Sequence, residues 1–304
     1  MMLKTNPSIN GILNVNKPEG ETSFGIVARL KRLTGEKRVG HAGTLDPIAT
    51  GVLPVCFGQA TRIAQFLSNS GKTYLAQIEL GITTDTFDRQ GKVVERNDTG
   101  DVTKARIKEA LASFRGVIDQ VPPAFSALKQ GGRRCYEMAR AGVPVELKSR
   151  RVEITKLELV GCRLPLIEIE VDCSKGTYIR SLANDIGRLL GCGAHLKNLR
   201  RLKCGPFSIE DALPMDEIED SFGKNIWKKI IHPVDSPLRN WKAIVVGKKT
   251  ESDIRNGCPL PVDEFDQPQN EYCRAYDLEG NFLAVLRFIP EKRQWHPEKV
   301  FSLP

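Results

Sequence analysis

Apolar and polar positions alternate with a period of two over residues 73–80. Tyr74, Ala76, Ile78 and Leu80 share one side; Thr73, Gln77 and Glu79 take the other, with Leu75 the exception. That period predicts a half-buried strand. Ile167, Ile169, Val171 and Cys173 alternate with Glu168, Glu170 and Asp172 in the same way. Gly11 to Val15 reads as a short strand entering a turn, Asn16-Lys17-Pro18-Glu19-Gly20. The period changes at Ile26, Val27, Leu30 and Leu33, whose spacing predicts a helix capped by Ser23 and stopped by Gly35. Residues 104–114 and 181–190 also read as helices. Long strands with scattered helices predict an α+β domain built on a mainly antiparallel sheet. Pro233 and Pro237 break the pattern, and beyond them 243–246, 272–277 and 282–288 predict strands of a small β-rich module. The expected division is 1–240 and 241–304.

At 304 residues the chain has room for about two domains. Hydrophobic residues at 40%, charged residues at 27% and a mean hydropathy of −0.28 are ordinary globular usage, which argues against a disordered or fibrous chain. A net charge of +8 and a pI near 9.1 favour a polyanionic partner, nucleic acid before membrane. The basic residues gather in three patches: Arg29, Lys31, Arg32, Lys37 and Arg38; Arg133, Arg134, Lys148, Arg150 and Arg151; Lys197, Arg200, Arg201 and Lys203.

Other chemistries find little support. The uncharged stretch from Pro47 to Thr61 is too short to span a bilayer and is broken by Gly51, Pro54 and Gly58. Residues 1–20 carry no apolar signal region, so a cytoplasmic protein without a membrane partner is expected. None of the eight cysteines forms a C-x-x-C pair. Cys192, His195 and Cys204 imitate a metal cluster but read as buried thiols beside a surface histidine, so no metal is expected. Ser70-Gly71-Lys72-Thr73 resembles the end of a phosphate loop, but Phe66 stands where that motif needs glycine.

The most unusual segment is Val39-Gly40-His41-Ala42-Gly43-Thr44-Leu45-Asp46-Pro47-Ile48-Ala49-Thr50-Gly51-Val52-Leu53-Pro54, a rigid loop that leads into an apolar strand. Taken alone, Asp46-Pro47 reads as an ordinary turn. The segment recurs in company, however. Asn16-Lys17-Pro18-Glu19-Gly20 precedes it. Lys72-Thr73-Tyr74 follows, then Gly81, Thr83, Asp85, Thr86, Asp88 and Gly91. Next come Gln120-Val121-Pro122-Pro123-Ala124-Phe125-Ser126-Ala127-Leu128-Lys129, Gly176-Thr177-Tyr178-Ile179-Arg180-Ser181-Leu182 and Leu199-Arg200-Arg201. In this order the motifs resemble the bacterial tRNA pseudouridine synthases of the TruB type, which isomerise uridine 55 in the T loop.

The resemblance implies a pseudouridine-synthase catalytic domain followed by a small PUA-like RNA-binding domain, and a reaction that needs no cofactor. It implies that Asp46 is the nucleophile, whose ionised form a neighbouring Arg180 would favour. It places Tyr74 against the target base, in position to help move the C5 proton. His41 would fill the space that a flipped base vacates. Tyr178 and Leu199 would form pocket walls, with Lys17 and Asp88 in support. Residues 122–151 resemble an RNA-gripping insertion, freed to move by Gly131 and Gly132, with Lys129, Arg133, Arg134, Lys148 and Arg151 as phosphate contacts. Basic patches alone would also suit an RNA-binding or RNA-folding protein. The long insertion and compact C-terminal module favour the stand-alone branch of the family over the guide-dependent one: a monomer on the tRNA T arm, without guide RNA.

Overall fold

The computed structural model describes residues 9–126, 128–145, 147–261 and 271–303. Its first half runs β1 (Gly11–Lys17), α1 (Ser23–Thr34), β2 (Val39–His41), β3 (Ala49–Phe57), α2 (Ala64–Asn69), β4 (Lys72–Leu80), β5 (Ile82–Thr84), β6 (Val93–Arg96), α3 (Lys104–Ser113) and β7 (Gly116–Gln120). The insertion contributes β8 (Lys129–Gln130), β9 (Arg133–Arg134) and α4 (Cys135–Arg140). Then come β10 (Arg150–Arg163), β11 (Leu166–Cys173), α5 (Ile179–Leu190), β12 (Ala194–Cys204), β13 (Phe207–Ser208) and α6 (Met215–Gly223).

Nine of these strands form one sheet in the order β1-β3-β12-β4-β11-β10-β7, with β2 beside β3 and β13 beside β12, while β5-β6 and β8-β9 pair separately. Every pairing in it is antiparallel except β12 with β3. This is the α+β, mainly antiparallel fold that the alternation predicts. The apolar parity of β4 and of β11 is buried throughout, against α1, α3, α5 and α6. Gly51, at φ +98°, lies opposite Arg201 in the parallel pair, where any Cβ would run into the Arg201 carbonyl. Glycine is what lets β3 lie against β12 there.

A second sheet, β14 (Lys242–Val245), β15 (Leu260–Pro261), β16 (Tyr272–Tyr276), β17 (Phe282–Ile289) and β18 (Gln294–Val300), follows the proline-broken segment in the order β14-β16-β17-β18-β15. A helix, α7 (Lys248–Arg255), packs on this sheet; neither it nor β18 has a periodic signal in the sequence. Phe282 and Val285 of this sheet and Phe301 just after it share a core with Ile63 and Leu67 of the α2 segment, and Phe66 packs edge-on against Trp241 and Tyr272.

Three expectations are corrected. Thr22, not Ser23, caps α1: its hydroxyl accepts from the Gly25 N–H at 2.9 Å, while Ser23 is the first helical residue and its side chain turns inward to Leu45. His195 is buried, not a surface residue, with Nδ1 3.2 Å from the Ile82 carbonyl and Nε2 3.5 Å from Glu79. The third basic patch loses Arg201, which is 1% exposed. Its position on the buried side of the central strand β12 outweighs the affinity of an isolated arginine for water. Arg29 of the first patch is paired with Glu219 and Glu21.

Candidate active site

The Asp46 loop is held from both sides. The Ser23 hydroxyl donates to the Leu45 carbonyl at 3.1 Å and accepts from the Leu45 N–H at 2.8 Å. On the other side, the Pro47 carbonyl accepts from the Gly20 N–H at 2.9 Å and lies 3.5 Å from the Lys17 ammonium. Lys17 is fully buried and also donates to the carbonyls of Pro18 at 2.8 Å and Glu21 at 2.6 Å. The turn Asn16–Gly20 and the start of α1 thus clamp the residues flanking Asp46 and leave its carboxylate 37% exposed. Burial lowers the Lys17 ammonium to about 8, against the pull of Glu21, Asp46 and Glu19.

Arg180 comes from the first turn of α5, where a buried cation is disfavoured by the helix dipole and needs anionic partners. It has two. Its Nε lies 2.9 Å from Asp46 Oδ2, and its Nη1 lies 3.7 Å from Asp88 Oδ2. Nη1 also donates to the Thr86 carbonyl at 3.3 Å and Nη2 to the Phe125 carbonyl at 3.0 Å. Asp88 is itself fixed by the Thr86 hydroxyl at 2.7 Å and the Gln90 N–H at 3.0 Å. The start of α5 is locked to the end of β7: Gln120 accepts from the Tyr178 N–H at 2.8 Å and donates to the Tyr178 carbonyl at 3.0 Å.

Asp46, Arg180, His41, Tyr74, Tyr178, Leu199 and Arg201 line one cleft of about 970 Å³, within the range of ligand sites. Burial pushes the Tyr74 phenol up to about 12, opposed by the Arg201 charge. Burial and that same charge lower His41, so its imidazole is neutral at physiological pH; its Nδ1 is buried and unpartnered. Burial raises Tyr178. Lys17 and Asp88 stand behind the cleft wall, as supports of the loop and of Arg180. Among the described residues, no cluster of His, Cys, Asp and Glu is arranged to hold a metal ion.

The insertion reaches the cleft lining through Phe125, Ser126, Arg134 and Tyr136. Gly131 and Gly132, at φ +57° and +84°, form the tight turn between β8 and β9, a conformation suited to a two-residue hairpin. Arg133 and Arg134 are exposed on that hairpin, and only Arg134 reaches the cleft lining. Lys129 takes its place in β8; Lys148 is exposed, and Arg151 is exposed beside Asp119 at 4.0 Å. Sequence reading passed over three features of the site. Arg201 was hidden in an apparent surface patch. Phe125 meets Arg180 through its carbonyl, which no side-chain pattern reveals. Phe24, 76% exposed at the cleft mouth, could have been noticed as a large apolar residue on the polar face of α1.

A family model described as TruB family pseudouridylate synthase (N terminal domain) matches residues 31–179, and one described as tRNA pseudouridylate synthase B C-terminal domain matches residues 180–239. The chain is 41% identical over 297 residues to a tRNA pseudouridine synthase B of Dehalococcoides mccartyi, covering 97% of this chain and 98% of that one. It is 45% identical over 281 residues to the enzyme of the same name from Clostridium kluyveri, covering 91% and 95%. Among solved structures, a chain of a Cbf5-Nop10-Gar1 complex superposes with a TM-score of 0.74 at 26% identity, over 96% of this chain and 85% of that one. No helix among the described residues is long and apolar enough to cross a membrane.

Proposed function

The chain belongs to the TruB family of pseudouridylate synthases and is an isomerase that forms pseudouridine in tRNA; from that premise we propose that its target is uridine 55 in the T loop, flipped into the cleft and attacked by Asp46. The observation that carries this reading is the meeting of the Asp46 carboxylate with Arg180 at 2.9 Å in a cleft walled by Tyr74, Tyr178 and Leu199. A carboxylate exposed to the cleft while both neighbours in its loop are pinned is a positioned nucleophile. Its attack would assist cleavage of the N1–C1′ bond. The uracil then turns and rejoins through C5, with Tyr74 against the base and helping to move the C5 proton.

A T-loop base must leave its stack before it can enter, at a cost of a few kcal/mol. The neutral His41 imidazole is suited to the vacated space, since it brings a flat ring without a charge. Lys17 and Asp88 hold the loop and Arg180. Lys129, Arg133, Arg134, Lys148 and Arg151 of the insertion, residues 122–151, contact phosphates. Residues 1–240 act as the catalytic unit and 241–304 as a PUA-like RNA-binding unit. The enzyme works in the cytoplasm as a monomer, without guide RNA, cofactor or metal.

The experiment is tritium release from C5-labelled uridine in a bare T-arm stem-loop. Wild type is expected to release it, and Asp46→Asn to bind the RNA while releasing none. Turnover near wild type in Asp46→Asn would remove Asp46 from the nucleophile's role. Release by wild type only when a guide RNA or partner protein is added would remove the stand-alone reading.

A further inference from the structure

Arg201 is the largest fully buried side chain among the described residues. It stands on β12 directly opposite Tyr74 of β4 in the antiparallel register. Its Nε donates to the Val52 carbonyl at 2.6 Å and its Nη2 to the Gly43 carbonyl at 3.1 Å, and it lines the same cleft as its cross-strand neighbour Tyr74, on whose phenol its charge acts. No carboxylate pairs with it among the described residues. A guanidinium stays positive at any working pH, so this is a buried charge held only by neutral groups. Burying such a charge is unfavourable, and an apolar side chain of similar volume would fill the space without that cost. Gly43, at φ +97°, brings its loop alongside the guanidinium: its carbonyl accepts from Nη2, and Arg201 Nη1 lies 3.5 Å from where a Cβ would stand, an ordinary contact distance.

The charge therefore wants an anion that the resting structure does not contain. The titratable groups facing Tyr74 are Arg201 and Cys204 from β12 and Cys173 from β11; Lys17, His41 and Lys72 are the other groups on which the Arg201 charge acts. Lys72 cannot share the task, because its ammonium donates to the carbonyls of Ser68 at 2.7 Å and Ser70 at 2.6 Å, with that of Leu67 at 3.5 Å. Tyr74, paired with Arg201 across the two strands and lining the same cleft, is the group beside the guanidinium that can become negative.

We infer that Arg201 is the positioning residue of Tyr74: it fixes the phenolic oxygen from the cleft floor and stabilises the negative charge that this oxygen bears when it acts as a base. The inference rests on the reading that Tyr74 takes the C5 proton. In that step the phenol first gives its proton to solvent. Once the uracil is joined to C1′ through C5, the C5–H bond breaks and its electron pair forms the C5–C6 double bond. The former C6–N1 double-bond pair settles on N1, which takes a proton from solvent, while the C5 proton passes to the phenolate and restores neutral Tyr74. Protons and electrons balance, as an isomerisation requires.

The test uses the full-length enzyme and a T-arm stem-loop under single-turnover conditions. Arg201→Met is expected to slow pseudouridine formation at least about tenfold, the effect of a one-unit change in phenol acidity. It should leave RNA affinity unchanged, and C5-deuterated uridine should then react more slowly than protiated. Arg201→Lys, which keeps the charge but not the fork, is expected to lose less, and it carries the test if the methionine variant does not fold. The deciding arm replaces Tyr74 with a fluorinated tyrosine, a more acidic phenol. This should recover most of the loss in the Arg201 variant and give little gain in wild type. A loss that the acidic phenol does not recover would make Arg201 a structural residue, and a loss confined to RNA affinity would make it a substrate contact; either overturns the inference. Absence of product from wild type would instead overturn the proposed function beneath it.

Discussion

Two arginines border the same cleft and are buried in opposite ways. Arg180 is 6% exposed and faces two carboxylates, Asp46 and Asp88; Arg201 is 1% exposed and faces two backbone carbonyls and a phenol. The first is an ion-pair centre whose charge is already spent on holding an aspartate. The second is a charge in reserve. A buried cation with anionic partners and one without respond differently to removal, because only the first leaves stranded charges behind. The sharpest way to break the comparison is therefore to neutralise both.

Arg180→Met should give the largest effect. Asp88, buried and deprived of its guanidinium, becomes an unpaired charge, and the expected loss is about 3–5 kcal/mol of folding stability together with activity below detection. Arg201→Met leaves only the carbonyls of Val52 and Gly43 without their donor, a cost of roughly 1–3 kcal/mol that removal of the uncompensated charge offsets, so the net loss should be smaller than for Arg180→Met. Guanidinium unfolding of the two variants checks the order. If Arg201→Met were the more destabilised of the pair, the distinction between a compensated and a reserved charge would fail.

Lys17 sharpens the same comparison, since it is a third buried cation held by carbonyls but one that can shed its proton. Its folded value is about 8, against 10.5 for an ordinary lysine. Between those limits the unfolded chain binds the extra proton and the folded chain does not. Stability therefore rises with pH across that window, and below it the folded state bears the whole cost of the buried charge. The rise attributable to Lys17 is on the order of 3 kcal/mol at most. Guanidinium unfolding at a series of pH values from neutral to mildly alkaline should show this upward slope in wild type and a flatter one in Lys17→Met. Equal slopes would mean that the ammonium is solvated in the folded state.

Much of this arrangement was legible in the sequence, and the part that was not has a common cause. Period-two alternation marked β4 and β11, because each buries only one face of its strand. Period 3.6 marked α1, and Gly35 marked its end. β12 is central, with neighbours on both sides and α5 packed on it, and its alternation is broken by register shifts at 196–198 and 201–203. Its arginines therefore read as a surface patch, although one of them, Arg201, is the best-buried arginine in the described structure. Asp46, Tyr74 and Arg180 were picked out by their motifs. What brings them together is the long-range clamp of Ser23 on Leu45, of Gly20 on Pro47 and of Gln120 on Tyr178, none of which is a local signal.

The rim of the cleft supplies the smallest expected effect and the cleanest control on the buried charges. Phe24 stands on the first turn of α1 beside the cleft-lining Thr22 and Ser23, 76% exposed. Unlike either arginine, it has no ion pair to lose, and its ring already faces water, so Phe24→Ala should move folding stability by less than about 0.5 kcal/mol. An exposed aromatic ring at the mouth of a nucleotide-sized cleft is a stacking surface for a base that enters or flanks the target, and such contacts are worth roughly 1–3 kcal/mol. Titration of a T-arm stem-loop should then show affinity falling about tenfold in Phe24→Ala, with the single-turnover rate at saturating RNA unchanged and Phe24→Trp restoring the binding. A fall in that saturated rate would mean that the rim, like the floor, acts on the chemical step, and unchanged affinity would mean that the ring meets no base. The division between a floor that governs the reaction and a rim that governs binding stands on the first outcome alone.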